Sequence, residues 1–299
     1  MKQIGIIGFG KMGLNLAKNI KKNNYDVIGY DLNKTIYKEL DNYNIKHKNE
    51  IKELIQSLDK PRSVIMIVNS GKPTEAVFNE LSSFLEKGDC IIDAGNSFYK
   101  DSVSKYNLAK EKGINFIDAG VSGGPSGALN GCCIMAGGNE EIIKNYNDFF
   151  TKICVPNGYL YTGEPGSGHF AKMVHNGIEY GMMQAIAEGY QIINNSNYNF
   201  DLSKLSTLWN NGSVIRSWLV ELMVEVFKKD PNLNNYSDVM SMNGEGLWTL
   251  QEALKQGTPA PIIGLSVMLR QNSTQQNNFA AKVISALRNS FGGHEIIKK

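Results

Sequence analysis

Apolar positions along this chain follow two rhythms. Over the first 165 residues, short β-type runs at 2–7, 25–30, 63–68, 89–93 and 115–118 alternate with helical stretches, of which 75–86 is the clearest. Such alternation predicts a doubly wound parallel sheet with ligands bound beyond the carboxyl ends of its strands. Residues 131–138 read as a further strand and turn, and 159–161 as one more short strand. From residue 166 the rhythm becomes that of long helices, at 166–190, 189–196, 202–209, 213–227, 247–257, 262–271 and 278–290. The expectation is an α/β domain over 1–165 followed by an all-α domain over 166–299.

The first strand runs into Gly8-Phe9-Gly10-Lys11-Met12-Gly13, and a helical pattern follows. Strand, G-x-G-x-x-G and helix in that order are the Rossmann-type cradle for a dinucleotide. Gly8 permits the tight turn, Gly10 admits a pyrophosphate to the backbone, and Gly13 lets helix and strand pack closely. The second strand closes with Asp31, 18 residues beyond Gly13, a spacing that suits hydrogen bonds to ribose hydroxyls. A carboxylate there repels a 2′-phosphate, which favours NAD over NADP. Lys34 is the countervailing feature, since its charge offsets that repulsion.

Two segments follow strands where a ligand is expected. AGNSFYKDS carries Asn96, an amide donor and acceptor. AGVSGGPSGALNG carries Ser122, Gly123 and Gly124, a hydroxyl with unobstructed backbone N–H groups that suit a carboxylate or a polyol. Both also read as plain loops.

Residues 166–190, GSGHFAKMVHNGIEYGMMQAIAEGY, place Lys172, His175, Asn176 and Glu179 at i, i+3, i+4 and i+7, one face of a helix. Met173, Ile178, Met182, Met183 and Ile186 supply packing elsewhere. The stripe therefore offers base, acid and hydrogen-bonding groups to one cavity, a solvated stripe being the alternative these residue types also allow.

Composition narrows the partners. The 299 residues carry 31 Lys and Arg against 29 Asp and Glu, a formal net charge of +2. No global basic field argues for nucleic acid or a membrane surface, so an anion must be recognised locally. Cys90, Cys132, Cys133 and Cys154 form no C-x-x-C pair, and His47, His169, His175 and His294 are scattered. That usage fits a reducing compartment without a metal site. No stretch is long enough to span a bilayer, and the apolar start runs into polar residues without a cleavage site, so a cytoplasmic protein is expected.

The motifs DAGNSFYKDS, GVSGGPSGA, KMVHNGIEYG, WNNGSVIRSW, GEGLWTLQEAL and LRNSFGGH together resemble the decarboxylating 6-phosphogluconate dehydrogenases, in their short form of about 300 residues, within the β-hydroxyacid dehydrogenases. The resemblance covers essentially the whole chain. It implies that Lys172 is the general base that takes the 3-hydroxyl proton, that Glu179 protonates C1 after decarboxylation, and that no metal is required. It implies substrate contacts at Asn96, Ser122, Gly123, Gly124, His175, Asn176 and Tyr180, with Arg270 on the phosphate. It further implies that a tail bearing Arg288 and His294 completes a neighbour's phosphate site, making the enzyme at least a dimer. One position departs from the long-form pattern, which has a phosphate-contacting lysine where this chain has Asn243. A β-hydroxyacid dehydrogenase that does not decarboxylate would use Lys172 without needing an acid at Glu179, and a non-catalytic dinucleotide sensor would need neither.

Overall fold

The computed structural model describes residues 2–275 and 279–292. Eight strands form one sheet: β1 (Gln3–Ile7), β2 (Asp26–Tyr30), β3 (Lys46–His47), β4 (Ser63–Met66), β5 (Cys90–Asp93), β6 (Asn115–Ser122), β7 (Cys132–Gly138) and β8 (Cys154–Gly163). Their spatial order is β3-β2-β1-β4-β5-β6-β7-β8. Every neighbouring pair is parallel except β6 and β7. The parallel sheet expected from the sequence thus has one antiparallel step. A parallel return needs a crossover of a dozen or more residues, whereas β6 and β7 are joined through one short helix.

Helices cover both faces, namely α1 (Lys11–Lys22), α2 (Tyr37–Asn42), α3 (Ile51–Gln56), α4 (Lys72–Phe84), α5 (Tyr99–Glu111), α6 (Gly124–Asn130), α7 (Glu140–Lys144) and α8 (Asn147–Ile153). Strands buried on both sides read as continuous apolar runs, which is why alternation is absent from IGII and CIID. On one face Ile4, Ile6, Ile65 and Ile92 pack with Leu14, Ala17 and Ile20 of α1 and with Phe149 and Phe150 of α8. On the other, Ile7, Val64, Ile91 and Phe116 meet Leu54 and Ile55 of α3 and Phe78 and Leu81 of α4. Burying each of the Ile, Leu, Val and Phe side chains among these contributes about 1.5–3 kcal/mol.

The segment after Asp118 is not the loop its glycines suggest. β6 continues to Ser122, Gly123 turns the chain with φ of +110°, and α6 begins at Gly124 with Pro125 in its first turn, a position where the missing N–H costs nothing.

α9 (Ser167–Asn194) is one helix of 28 residues, about 42 Å long. It absorbs the pattern at 189–196 that reads as separate in the sequence. Beyond it lie α10 (Leu202–Asn210), α11 (Trp218–Lys229), α12 (Gly244–Gln256), α13 (Pro261–Ser273) and α14 (Phe279–Gly292). α11 starts later than the apolar pattern at 213–227, because the Ser217 hydroxyl accepts from the Val220 N–H and caps it there. Tyr190 of α9 packs edge-on against Phe227 of α11, with its hydroxyl 2.6 Å from Ser206 Oγ of α10. The chain divides into two compact units, Met1–Asn176 and Gly177–Lys299. That division falls inside α9, whereas the change of rhythm in the sequence falls ahead of it. Among the described residues no helix is long and apolar enough to cross a membrane.

Candidate active site

In the first unit, β1 ends in a cradle built by exclusion of side chains. A Cβ at Gly8 would collide with the Ile67 carbonyl, and one at Gly13 with the carbonyl of Gly8. Gly10 differs, since a Cβ there would meet nothing within 4 Å. The tight turn and the helix packing thus consume Gly8 and Gly13, and Gly10 faces open space at the start of α1, where a pyrophosphate would find helix N–H groups. These residues fit a dinucleotide. Met12 packs inward against the core instead.

Asp31 follows β2 beside this cradle. Its Oδ2 accepts from the Phe9 N–H at 2.6 Å and its Oδ1 from the Asn33 N–H at 2.7 Å. The carboxylate is thereby fixed between the glycine turn and its own loop, with lone pairs left for further donors. The Lys34 ammonium donates to the carbonyls of Asp31 (2.9 Å) and Asn49 (2.8 Å) and to the Tyr37 hydroxyl (3.0 Å), and lies 4.0 Å from the centre of the Tyr30 ring. Three acceptors match the three donors of an ammonium group.

The chain repeats Asp-Ala-Gly, at residues 93–95 where β5 ends and at residues 118–120 within β6. Asp93 and Asp118 are paired in register and are both buried. Asp93 organises the loop after β5, accepting from the Gly95 N–H at 3.1 Å and the Ser97 hydroxyl at 2.8 Å. Asn96 stands exposed between them.

The start of α9 lies along one face of β6. Successive inward residues of that strand meet successive turns of the helix. Asp118 accepts from the backbone N–H groups of Gly166 and His169. A Cβ at Gly120 would collide with Cβ of Lys172. Ser122 Oγ lies 3.2 Å from His175 Nε2, and His175 Nδ1 lies 2.9 Å from Asn176 Oδ1. With Oδ1 as its partner Nδ1 carries the proton, so in the neutral ring Nε2 accepts from the Ser122 hydroxyl. Lys172 is 7% exposed. Gly123 and Gly124 turn the chain away immediately after Ser122. The structure thus brings together Lys172, His175, Asn176 and Ser122. Asp118 joins them unanticipated by the sequence reading; its only sequence signal was the repeated Asp-Ala-Gly.

Glu179 and Tyr180 follow on the second unit's part of α9. There the Arg270 guanidinium of α13 stacks 3.7 Å from the centre of the Tyr180 ring, and donates to the Ser241 carbonyl at 3.2 Å. The Asn243 N–H donates to the Tyr180 hydroxyl at 3.3 Å. Burial pushes the Tyr180 hydroxyl above the usual tyrosine range, against the opposing pull of Arg270. Arg288 is exposed on α14, and His294 lies outside the described residues.

Residues 3–163 match the family pattern described as the NAD binding domain of 6-phosphogluconate dehydrogenase, and residues 168–297 match the 6-phosphogluconate dehydrogenase C-terminal domain. The chain belongs to the 6-phosphogluconate dehydrogenase family. It is 47% identical to Bacillus subtilis YqeC, which is provisionally named for that activity, over 99% of this chain and all of that protein. It is 33% identical to the NAD-dependent, decarboxylating 6-phosphogluconate dehydrogenase of Haloferax volcanii, covering 99% of both. Among solved structures, the Plasmodium falciparum 6-phosphogluconate dehydrogenase, described apo, with NADP and with 6-phosphogluconate, matches with a TM-score of 0.82 and 31% identity, covering 99% of this chain and 66% of that one. As a member of the 6-phosphogluconate dehydrogenase family, this chain is an oxidoreductase with a nicotinamide dinucleotide-binding domain.

Proposed function

We propose that this protein oxidatively decarboxylates 6-phosphogluconate to ribulose 5-phosphate, with NAD as the preferred hydride acceptor. The observation that carries the reading is the buried Lys172 of α9, seated against Gly120 one turn before the Ser122–His175–Asn176 chain of hydrogen bonds. Lys172 is withdrawn from solvent and carries the amine that a general base in this reading needs. In this reading Lys172 takes the 3-hydroxyl proton, while Ser122, His175 and Asn176 hold the sugar acid by its hydroxyls and carboxylate, with Asn96, Gly123 and Gly124 at the margin. The bound nicotinamide supplies a hydride acceptor. The resulting 3-keto acid loses its carboxyl group as carbon dioxide, with Lys172 donating a hydrogen bond to the keto oxygen. Glu179, two helical turns from Lys172, then protonates C1 of the enediol.

The names and titles of relatives support the substrate class, since the Haloferax protein is called decarboxylating and the Plasmodium structures include 6-phosphogluconate as substrate. NAD preference rests on Asp31, whose fixed carboxylate suits ribose hydroxyls and repels a 2′-phosphate. The three oxygen acceptors that hold the Lys34 ammonium support it further. Arg270 is assigned to the substrate phosphate, helped by Tyr180. Asn243 supplies no second charge there, so this site holds phosphate with one cation fewer than the long form. Residues 1–165 are assigned to the dinucleotide and 166–299 to substrate and subunit assembly, with Arg288 and His294 completing a neighbour's site in a dimer or larger oligomer.

One assay tests the reading. 6-Phosphogluconate labelled at C1 should release labelled carbon dioxide in step with NADH. Reduction of NAD by 3-hydroxy acids without carbon dioxide would instead identify a simple β-hydroxyacid dehydrogenase, the reading that dispenses with Glu179.

A further inference from the structure

We propose that Asp118 is a positioning residue for Lys172, acting through the first turn of α9; the proposal rests on Lys172 being the base. A fully buried carboxylate is retained only where partners offset its desolvation, and Asp118 is 0% exposed. Its neighbour in register is another buried carboxylate, Asp93. Burial, with a smaller push from Asp93, holds the Asp118 carboxyl above the usual carboxylate range, ahead of the opposing pull of His169 and of two backbone N–H groups.

Both oxygens are engaged by the same helix terminus. Oδ1 accepts from the Gly166 N–H at 2.7 Å and Oδ2 from the His169 N–H at 2.9 Å. Gly166 itself has no side chain with which to cap α9. The cap that a local Ser or Asp usually provides therefore comes from β6, 48 residues away along the chain, and brings a negative charge to the positive end of a long helix. The other side of the turn is tied as well. Ser102 Oγ of α5 lies 2.7 Å from His169 Nδ1, while the buried Nε2 has no hydrogen-bond partner among the described residues.

Lys172 lies three residues beyond His169 and packs on Gly120, two residues beyond Asp118 on the same face of β6. There is no slack at this contact. A side chain at Gly120 would collide with Lys172, and one at Gly168 with the carbonyl of Asp118. Whatever fixes the first turn of α9 therefore fixes where the lysine side chain emerges, and a displacement of about 1 Å at a reacting group costs on the order of 10²-fold in rate.

Asp118→Asn tests this with little change of shape, because it turns an NH2 group toward one of the two N–H donors. We expect kcat to fall about 10- to 100-fold, with the KM for NAD and for the sugar acid within about threefold of wild type. Asp201→Asn is the matched control, since Asp201 caps α10 by accepting from the Lys204 N–H and should leave kcat within about twofold. A second arm needs no substrate. Reductive methylation followed by peptide mass spectrometry should label Lys172 at least about fivefold faster in the variant, through local opening of the turn, with exposed lysines unchanged. Unaltered Lys172 labelling overturns the proposal, as does a kcat no lower than that of the control. A wild-type enzyme inactive on 6-phosphogluconate counts against the proposed function alone, and the labelling then decides the role of Asp118. Should Asp118→Asn not fold, Ser102→Ala loosens His169 without touching the carboxylate. It should give the same labelling pattern at smaller amplitude, and unchanged labelling there also overturns the proposal.

Discussion

Ser122 Oγ stands 3.2 Å from His175 Nε2, joining the last residue of β6 to the third turn of α9. Two elements that arrive from different parts of the chain thereby present one hydroxyl and one imidazole side by side, next to Lys172. In Ser122→Ala this link is lost and His175 keeps only its Asn176 contact among the two. The kcat/KM for the sugar acid is expected to fall about tenfold, equivalent to about 1.4 kcal/mol, in the range of one hydrogen bond. The KM for NAD should not move. Steady-state kinetics varying each substrate in turn checks both statements.

The glycine turn makes a paired prediction, because Gly10 and Gly13 carry different burdens. Gly10→Ala meets open space and should leave thermal stability within about 0.5 kcal/mol of wild type, while weakening NAD binding through the methyl group placed where the pyrophosphate approaches. Gly13→Ala drives a methyl group into the Gly8 carbonyl and should cost about 1–3 kcal/mol of stability. Denaturant unfolding with and without NAD separates the two. Equal loss of stability in both would mean that Gly10 is structural.

Asp31→Ala removes the ribose acceptor and the charge that repels a 2′-phosphate. NAD binding should weaken by about 1.5–3 kcal/mol and the preference over NADP should narrow. The substitution also frees the N–H groups of Phe9 and Asn33, so the glycine turn should loosen. A wild-type enzyme that already prefers NADP would refute the cofactor assignment.

Lys172 and Glu179 are assigned to different steps and should fail differently. Lys172→Met should abolish hydride transfer, since loss of a general base typically costs about 10²–10⁴-fold. Glu179→Gln keeps shape but removes the proton needed at C1. It should spare the early hydride step and show a pre-steady-state burst of NADH ahead of slow ribulose 5-phosphate release. If both variants lose the hydride step alike, the division of labour between them is wrong.

The cysteines supply a pH test. Burial pushes Cys90, Cys132 and Cys154 from an ordinary thiol value of 9.0 up to about 12. At pH 8 only about one in 10⁴ of each is thiolate, the reactive form. Cys133 is exposed on β7 and should be alkylated by iodoacetamide well before the other three. The same shifts affect stability. Each folded thiol keeps its proton to higher pH than the unfolded one, so the stability gained is complete below about pH 9 and is lost as pH climbs toward about 12. Thermal unfolding followed from pH 8 upward should therefore show the midpoint falling above pH 9.

What the sequence by itself determined is what lies within a few residues or repeats at a fixed period. The glycine turn and its strand and helix, Asp31 at the end of β2, and the stripe of Lys172, His175, Asn176 and Glu179 on one helix were all legible this way, because local geometry makes them neighbours whatever the rest of the chain does. The family motifs were legible for the same reason, being short and contiguous. The tertiary structure alone decided the antiparallel return of β7, the closure of Lys34 by the Asn49 carbonyl, and the seating of Lys172 on Gly120. It alone showed that Asp118, read in the sequence as the end of a strand, caps a helix by accepting from Gly166, 48 residues later, and that Ser102 reaches His169 across 67 residues. Contacts of that span leave no period in the chain. They depend on which strands become neighbours and on how close two backbones approach where glycines omit the side chains, and both emerge only when the sheet and its helices pack.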